Sequence, residues 1–323
     1  MTIPLGEFDL IARYFTRPAR RAFLGVGDDC ALLPAPAAGE QLAISSDMLV
    51  EGRHFLPDAD PEALGHKALA VNLSDLAAVG AQPLAFTLAL ALPQAEARWL
   101  EGFARGMWAL ADAHDIELVG GDTTRGPRNL CITVLGTVPQ GRALLRSAAQ
   151  AGDDLWVSGT LGDARLALGY RLGEWSLDDV AQATSFARMD RPTPRVTLGL
   201  ALRGVAHAAI DVSDGLLADL GHILQRSGVG ATVHADACPA SPALRTQSAT
   251  RRRLCQLAGG DDYELLFTAP TSARDAVQAA ATQAATAVTR IGRIETRPGL
   301  RLIDAEGQVL DNAYAGFDHF RPA

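Results

Sequence analysis

The chain has 323 residues, 48% of them hydrophobic and 20% charged, which is an ordinary globular composition and a length that suits two domains. Its formal net charge of −8 excludes the basic surface that is typical of nucleic-acid binding. Lys67 is the only lysine, so a phosphate-binding loop that ends in Gly-Lys-Ser/Thr is excluded as well.

The first half of the chain alternates periodic apolar segments with turn residues. The predicted elements, in chain order, are helix 7–15, strand 42–45, helix 61–79, strand 85–92, helix 95–114, strand 117–119 and strand 130–138. An uncharged stretch over 76–95 is interrupted by Gly80 and Pro83, which indicates a helix end, a turn and a buried strand rather than a membrane span. We therefore expect a cytoplasmic protein that makes no membrane contact.

A polar turn at 151–154 is the predicted boundary between two domains, 1–150 and 151–323. The elements predicted beyond it, in chain order, are strand 155–158, helices 162–172 and 194–204, strand 208–211, helix 215–226, strands 231–235 and 263–268, helix 276–287, and strands 288–294 and 300–303. Because strands alternate with helices in both halves, the pattern predicts an α/β fold.

The four cysteines, Cys30, Cys131, Cys238 and Cys255, are far apart in the sequence. No pair has the CxxC spacing that is typical of zinc sites and thioredoxin-like motifs. We predict that they are small buried residues in a reducing compartment.

Six short segments place acids or hydroxyls at the end of an apolar run, often beside glycine. They are 27–29 (Gly-Asp-Asp), 45–47 (Ser-Ser-Asp), 72–75 (Asn-Leu-Ser-Asp), 120–124 (Gly-Gly-Asp-Thr-Thr), 211–215 (Asp-Val-Ser-Asp-Gly) and 259–262 (Gly-Gly-Asp-Asp). Polar groups at strand ends of α/β proteins commonly face a ligand cleft. Clustered carboxylates repel one another, and Mg²⁺, which prefers oxygen ligands, relieves that repulsion and bridges phosphate oxygens. The six segments together therefore indicate a site for several metal ions and a nucleotide.

Each segment also has a purely structural interpretation. Asp28 and Asp29 suit a turn, and Asp75 suits the exposed side of a helix. Ser213-Asp214-Gly215 precedes the apolar helix 215–226, and we expect it to serve as the N-cap of that helix. Spacing alone does not show that the six segments meet in space.

The segments resemble the thiamine-monophosphate kinase family, within the superfamily of aminoimidazole ribonucleotide synthetase. Matching stretches run from 6–8 (Gly-Glu-Phe) to 316–320 (Gly-Phe-Asp-His-Phe), which is nearly the whole chain. The strongest matches are 25–31 (GVGDDCA), 67–78 (KALAVNLSDLAA) and 120–126 (GGDTTRG). The resemblance implies a two-domain fold of mixed sheets flanked by helices, and the ATP-dependent conversion of thiamine monophosphate to thiamine diphosphate.

The resemblance also implies roles for individual positions. The implied ligands of several Mg²⁺ ions are Asp29, Ser45, Ser46, Asp47, Asp75, Asp122, Asp211 and Asp214. The implied ATP contacts are Gly121, Asp122, Arg146 and Ser213, and the implied substrate contacts are His54, Asp261 and Phe317. The N-terminal domain would bind ATP and Mg²⁺ and form a homodimer, and the C-terminal domain would complete the nucleotide and substrate site. Arg146 would stabilise charge during direct in-line transfer, and no residue is assigned as a general base.

Three positions depart from the family pattern. Ser46 replaces the usual threonine and keeps its hydroxyl, so we expect little change. Asp261 replaces the usual glutamate and is one methylene shorter, so its contact to the aminopyrimidine would lengthen or pass through water. Phe317 replaces the usual tyrosine, which keeps ring stacking and removes a phenolic hydrogen bond.

Other interpretations of single residues remain open. Without the resemblance, His54 is better interpreted as a satisfied polar residue near a loop, and Arg146 suits an exposed surface position. Arg188, Arg191 and Arg195 flank two prolines and are predicted to lie in a solvated loop, with the screening of phosphates as the alternative role. As a whole, the chain would alternatively be another enzyme of the superfamily, a non-catalytic binding protein for Mg-nucleotide or thiamine phosphate, or a metal-dependent phosphatase.

Overall fold

The computed structural model describes residues 6–311 and residue 314. The chain forms two compact units, one of Met1–Leu76 with Ala81–Gly141 and the other of Ala77–Gly80 with Arg142–Ala323. Among the described residues, none of the helices has both the length and the apolar character needed to cross a membrane. The uncharged stretch 76–95 forms a helix end, a turn and a strand, which confirms that prediction.

The first unit is built on a four-stranded mixed sheet in the order β1-β4-β2-β3. Its elements are α1 (Glu7–Leu10), a π-helical turn (Ile11–Phe15), β1 (Glu40–Val50), α2 (Pro61–Ala78), β2 (Gln82–Leu92), α3 (Ala97–Ala113), β3 (Glu117–Arg125) and β4 (Asn129–Pro139). β4 pairs antiparallel with β1 and β2, and β2 pairs parallel with β3. β1 and β3 are therefore longer than the predicted strands 42–45 and 117–119. As a result, two of the six polar segments, 45–47 and 120–124, lie inside strands rather than at their ends.

Close contact between α2 and α3 shapes the core of the first unit. A Cβ added at Gly65 would lie 2.0 Å from the Phe103 carbonyl oxygen, and one at Gly106 would lie 1.8 Å from the Glu62 carbonyl oxygen. Both distances are shorter than atoms tolerate, so glycine at these positions lets the two helix backbones touch. Phe103 itself is fully buried.

The second unit is built on a six-stranded mixed sheet in the order β10-β7-β9-β5-β8-β6. Its elements are β5 (Asp154–Ser158), α4 (Asp163–Arg171), α5 (Asp179–Asp190), α6 (Val196–Leu202), β6 (Ala208–Asp211), α7 (Leu216–Ser227), β7 (Gly230–His234), α8 (Pro242–Arg245), α9 (Ala249–Ala258), β8 (Leu265–Ala269), α10 (Arg274–Gln283), β9 (Val288–Glu295) and β10 (Gly299–Ile303). β5 lies inside the sheet, where Leu155 pairs with Gly292 of β9 and with Thr268 of β8. The two mixed sheets with flanking helices confirm the predicted fold class.

The amphipathic helix α7 shows how the second unit closes its core. Leu216, Leu220 and Ile223 recur at helical spacing and are fully buried in one cluster with strand residues such as Ile210 and Leu266. This spacing places one apolar face of α7 toward the sheet. The packing fixes the start of α7, and therefore the position of the polar segment 211–215 that precedes it.

Candidate active site

Two of the polar segments of the first unit meet between β1 and α2. Ser45 Oγ donates a hydrogen bond to Asp75 Oδ2 at 2.5 Å. The backbone N–H of Asp47 donates to Asn72 Oδ1 at 3.0 Å, and Asn72 Nδ2 donates to the Ala68 carbonyl at 3.0 Å. The segments 45–47 and 72–75 are thus joined by direct hydrogen bonds. Asn72, which was not assigned a role from the sequence, connects the Asp47 backbone to α2.

Ser46 lies on the other face of β1, because successive side chains of a strand alternate. Its Oγ lies 2.9 Å from Thr133 Oγ1 and donates to the Ile132 carbonyl at 3.2 Å, both on β4. The structure therefore places the Ser46 hydroxyl apart from the Ser45 hydroxyl and the Asp75 carboxylate, although the resemblance assigned Ser45 and Ser46 the same role.

A second pair of segments of the first unit lines one cavity of about 460 Å³. Gly27, Asp28 and Asp29 form one part of its wall, and residues 120–123 form another. The remaining lining is mostly apolar and includes Phe8, Ile11, Phe15, Leu88 and Leu118. Apolar walls with a few convergent polar groups are typical of small-molecule sites. The structure therefore brings together the predicted metal ligands Asp29 and Asp122 and the predicted ATP contact Gly121.

Gly121 is required by the sheet itself. Its φ is +150°, and a Cβ at this position would lie 1.9 Å from the carbonyl oxygen of Leu88, its partner in β2. For the neighbouring Gly120, the nearest atom to an added Cβ is 4.0 Å away. The structure therefore gives Gly121 a packing role besides the predicted approach to phosphate.

His54 closes a tight loop after β1. Its Nδ1 accepts a hydrogen bond from the Val50 N–H at 2.9 Å, and its own N–H donates to the Val50 carbonyl at 3.0 Å. With Nδ1 as acceptor, the neutral ring carries its proton on Nε2. The imidazole is therefore oriented by the loop and has Nε2–H as a donor.

In the second unit, the segment 211–215 is organised by Asp219 in the first turn of α7. Asp219 Oδ2 accepts three backbone hydrogen bonds at 3.1 Å each, from Ser213, Asp214 and Gly215. Burial raises the pKa of the Asp219 carboxyl to about 8, and the charges of Asp211 and Asp214 add to the rise. The Ser213-Asp214-Gly215 segment provides the N-cap of α7 as predicted: the N-cap residue is Gly215, and no side chain forms a capping hydrogen bond.

The segment 259–264 runs beside the segment 211–215. Asp261 N donates to the Ser213 carbonyl at 2.9 Å, and Tyr263 N donates to the Val212 carbonyl at 2.9 Å. Val212 N in turn donates to the Glu264 carbonyl at 2.8 Å. The predicted substrate contact Asp261 and the predicted ATP contact Ser213 are thus hydrogen-bonded neighbours through their backbones.

Glu264 anchors this segment from within the core. Its fully buried carboxylate accepts hydrogen bonds from Arg188 Nη2 at 2.6 Å and Ser158 Oγ at 2.5 Å. It also forms a two-bond pair with Arg195, from Nε at 2.6 Å and Nη2 at 2.5 Å. The predicted solvated loop is therefore wrong for Arg188, which lies on α5, and for Arg195, the N-cap of α6, since both bind a buried acid.

The remaining predicted residues are distributed as follows. Arg146 is exposed, and its carbonyl accepts a hydrogen bond from Ser227 Oγ at 2.9 Å. Asp211 is buried at the end of β6, and Asp214 is half-buried in the segment 211–215. Phe317 lies outside the described residues.

The donors of the predicted metal site are oxygen atoms of carboxylates and hydroxyls, which is the ligand chemistry that Mg²⁺ prefers. Within residues 6–311 and 314, however, no three His, Cys, Asp or Glu side chains form a group that could hold a metal ion. The chemistry of the donor atoms fits Mg²⁺, but the described side chains are not arranged as a preformed set of ligands.

Two of the cysteines match their prediction. Cys238 and Cys255 are buried, and burial raises the pKa of each thiol to about 12. Cys30 is exposed, so the prediction of burial is wrong for it, because it follows the two acids of the segment 27–29 at the protein surface.

The fold of the two units and the polar motifs match the class of AIR synthase related proteins. The family model of the N-terminal domain of AIR synthase related proteins matches residues 27–138, and that of the C-terminal domain matches residues 150–305. The thiamine-monophosphate kinase of Salmonella typhimurium is 47% identical over 322 residues, which cover 98% of each chain.

Solved structures agree with this class. The crystal structure of thiamine-monophosphate kinase from Stenotrophomonas maltophilia K279a is 51% identical, with a TM-score of 0.84 over 93% of this chain and 95% of that one. The structure of AaThiL complexed with AMPPCP and TMP is 32% identical, with a TM-score of 0.78 over 89% of this chain and 90% of that one. The chain therefore belongs to the thiamine-monophosphate kinase family of AIR synthase related proteins.

Proposed function

We propose that the protein transfers the γ-phosphoryl group of ATP to thiamine monophosphate and so produces thiamine diphosphate and ADP. The observation that carries the proposal is the 460 Å³ cavity in which the segments 27–29 and 120–123 meet. Support also comes from the family and from the AaThiL structure, which holds AMPPCP and TMP together. We further propose that the protein acts in the cytoplasm.

The chemistry is a direct in-line displacement. A phosphate oxygen of thiamine monophosphate forms a bond to the γ-phosphorus while the bond from that phosphorus to the bridging oxygen of ADP breaks. The attacking phosphate is already ionised near neutral pH, so no general base is needed. Catalysis rests on positioning the two phosphates and on neutralising their charge, and we assign Arg146 to that neutralisation.

We assign the metal-binding role to carboxylates of both units and to two serine positions. The assigned residues are Asp29, Ser45, Ser46, Asp47, Asp75, Asp122, Asp211 and Asp214. Bound Mg²⁺ would supply charge neutralisation to the phosphates. The Ser45–Asp75 and Asp47–Asn72 hydrogen bonds hold two of these segments in place without the ion. Residues 1–150 would bind ATP and Mg²⁺, and residues 151–323 would contribute further nucleotide and substrate contacts.

The substrate contacts in this proposal are His54, Asp261 and Phe317, and the ATP contacts are Gly121, Asp122, Arg146 and Ser213. His54 would donate from Nε2, because its Nδ1 is engaged by Val50. Asp261 would accept a hydrogen bond from the amino group of the aminopyrimidine.

We also propose a homodimer formed by the sheets of the first units. Leu42, Ile44 and Met48 lie on one face of β1 and are 42%, 62% and 54% exposed. Apolar side chains grouped on a strand face are typical of an interaction surface. Sedimentation at micromolar concentration tests this, and a monomer would contradict it.

Chromatographic separation of thiamine esters tests the reaction. The purified protein is incubated with ATP, Mg²⁺ and thiamine monophosphate, with EDTA in one control and free thiamine in place of the monophosphate in another. We expect thiamine diphosphate only when Mg²⁺ and the monophosphate are both present. ATP binding without product would favour a non-catalytic binding protein, and phosphate release without ATP would favour a phosphatase.

Two variants test the metal assignment. Asp47→Asn and Asp122→Asn each remove one charge, and we expect both to abolish turnover. Asp112→Asn is the matched control, because this acid lies on the surface of the same unit in an exposed pair with Arg17. Wild-type rates in Asp47→Asn or Asp122→Asn at saturating Mg²⁺ would contradict the assignment.

A further inference from the structure

Tyr263 and Asp261 form a side-chain pair within the segment 259–264. The Tyr263 hydroxyl donates a hydrogen bond to Asp261 Oδ1 at 3.0 Å. Tyr263 is only 8% exposed, so its ring is packed and its hydroxyl has a fixed position. A fixed donor that is bound to a carboxylate oxygen limits the orientations which that carboxylate can adopt.

The backbone of both residues is held in an unusual conformation. Asp261 has φ +65° and Tyr263 has φ +50°, in the left-handed region that bulky side chains rarely adopt. Such conformations persist only where the surroundings impose them, and they cluster at ligand-binding sites. The two left-handed residues flank Asp262, which brings the side chains of Asp261 and Tyr263 together.

The surroundings that impose this conformation are visible on both sides of the pair. Asp262 is buried. Both of its carboxylate oxygens accept a hydrogen bond from the backbone nitrogen of Gly162, at 2.9 Å each. Glu264 is held by Arg188 and Arg195. At Gly260, an added Cβ would lie 2.2 Å from the Ser213 carbonyl oxygen, so this residue packs directly against the segment 211–215. Asp261 and Tyr263 thus lie between two rigid anchors.

We propose that Tyr263 is a positioning residue that fixes the Asp261 carboxylate for recognition of the amino group on the substrate's heteroaromatic ring. The inference rests on the proposed function, in which Asp261 contacts that ring. Because aspartate is shorter than glutamate, a small rotation of its carboxylate moves the accepting oxygen out of reach of a donor on a bound ligand. The Tyr263 hydroxyl removes that freedom and, as a donor, keeps Asp261 an acceptor. The pair therefore favours a ring that carries an amino group over one that carries an oxo group at the same position.

The experiment compares Tyr263→Phe with Tyr14→Phe. Tyr14 is the matched control because it is similarly buried, at 7% exposure, and its hydroxyl donates to the Ala97 carbonyl in the other unit. The dissociation constant of thiamine monophosphate is measured by calorimetric titration, and KM and kcat are measured by the ester assay. For Tyr263→Phe we expect a roughly three- to tenfold rise in the Kd and KM of thiamine monophosphate, the range of one lost hydrogen bond. The KM of ATP and kcat stay unchanged, and Tyr14→Phe behaves as wild type.

A double-variant cycle shows whether Tyr263 acts through Asp261. In an Asp261→Ala background, Tyr263→Phe should weaken binding no further, because the carboxylate that the hydroxyl orients is gone. Additive effects of the two changes would overturn the proposal. Tyr263→Asn provides a second test, since asparagine tolerates positive φ but lacks the hydroxyl. It should weaken binding at least as much as Tyr263→Phe.

The outcomes separate this inference from the proposed function. If the wild-type protein forms thiamine diphosphate and Tyr263→Phe leaves the Kd and KM of thiamine monophosphate unchanged, the inference fails and the function stands. If the wild-type protein binds thiamine monophosphate without turnover and Tyr263→Phe weakens that binding, the function fails and the inference stands. Equal losses for ATP and thiamine monophosphate, with a lower melting temperature, would indicate a structural role only and overturn the inference. A wild-type protein that does not bind thiamine monophosphate overturns both.

Discussion

Arg195 and Glu264 form a two-bond ion pair in the second unit, with Nε 2.6 Å from Oε2 and Nη2 2.5 Å from Oε1. The acid is fully buried, and the arginine is 17% exposed. Removing one partner of a buried pair leaves the other charge without compensation, which costs about 3–5 kcal/mol. The pair is therefore a structural support of the segment 259–264.

We predict that Glu264→Gln destabilises the second unit by about 3–5 kcal/mol, because it leaves Arg188 and Arg195 facing a neutral amide. Native-state hydrogen exchange of the Leu265 amide, which donates to Ser158 Oγ beside Glu264, measures the local opening free energy. The control is Asp112→Asn, which breaks the exposed Arg17–Asp112 pair, whose side chains are 45% and 62% exposed. Its effect on the first unit should be at most about 1 kcal/mol. Similar costs for the two variants would contradict the prediction.

We predict that Asn72→Ala destabilises the first unit and lowers turnover. The change leaves the Asp47 N–H and the Ala68 carbonyl without their partner amide, at a cost of about 1–3 kcal/mol. The urea midpoint and kcat are the measurements. Asn129→Ala is the control, because its amide donates to the Pro127 carbonyl at an exposed position. An unchanged midpoint in Asn72→Ala would show that this link does not hold β1 to α2.

We predict that Gly121→Ala disrupts the first unit, while Gly120→Ala is tolerated. The added methyl group at Gly121 would meet the Leu88 carbonyl at 1.9 Å, whereas at Gly120 the nearest atom is 4.0 Å away. Soluble yield and the thermal midpoint compare the two variants. If Gly121→Ala folds normally and only its KM for ATP rises, the glycine serves nucleotide approach and not strand packing.

We predict that Asp163→Asn gains stability relative to wild type as the pH rises above about 4. Burial raises the pKa of the Asp163 carboxyl above its ordinary value of 3.8, and the hydrogen bond from Ser241 offsets only part of the rise. Between the ordinary and the raised pKa, the folded protein holds a proton that the unfolded chain has lost, so wild-type stability falls with rising pH. Asparagine does not titrate at this position. Melting temperatures of both proteins from pH 4.5 to pH 8 provide the check, and a difference independent of pH would contradict the prediction.

We predict that iodoacetamide at pH 8 modifies Cys30 and spares Cys238 and Cys255 in the folded protein. Burial raises the pKa of the latter two thiols to about 12 and shields them, whereas Cys30 is exposed. The thiolate is the reactive form, so the two buried residues present almost none of it. Peptide mass spectrometry with and without urea measures the labelling. Rapid labelling of Cys255 in the native state would contradict the burial of α9.

The sequence predicts most elements of the fold because their apolar periods are strong, as in α7. It misses α5 (Asp179–Asp190), in which the buried positions are Ala181, Ser185 and Met189 and the apolar period is weak. It also ends β1 and β3 too early, since polar residues at 46–47 and 121–124 interrupt apolar runs that hydrogen bonding nevertheless continues. In these elements, pairing with neighbouring strands outweighs local composition.

The candidate site divides in the same way. Each of its segments can be recognised in the sequence by itself. The side-chain contacts that hold the segments in place depend on the tertiary fold. Glu264 lies in a predicted strand, and only the fold shows that Arg188 and Arg195 reach it. Asp219 carries a signal that the sequence offers, an acid in the first turn of an apolar helix, but its three backbone partners depend on the path of the preceding loop.

The position of β5 in its sheet has a consequence for synthesis on the ribosome. β5 is the first strand of the second unit to be made, yet its two neighbours, β8 and β9, are among the last. All four strands of the first sheet, in contrast, are complete once Pro139 has emerged. Translation therefore favours early folding of the first unit, while β5 waits with both edges unpaired until the C-terminal strands arrive. During that interval the apolar β5 strand is exposed to aggregation or chaperone binding.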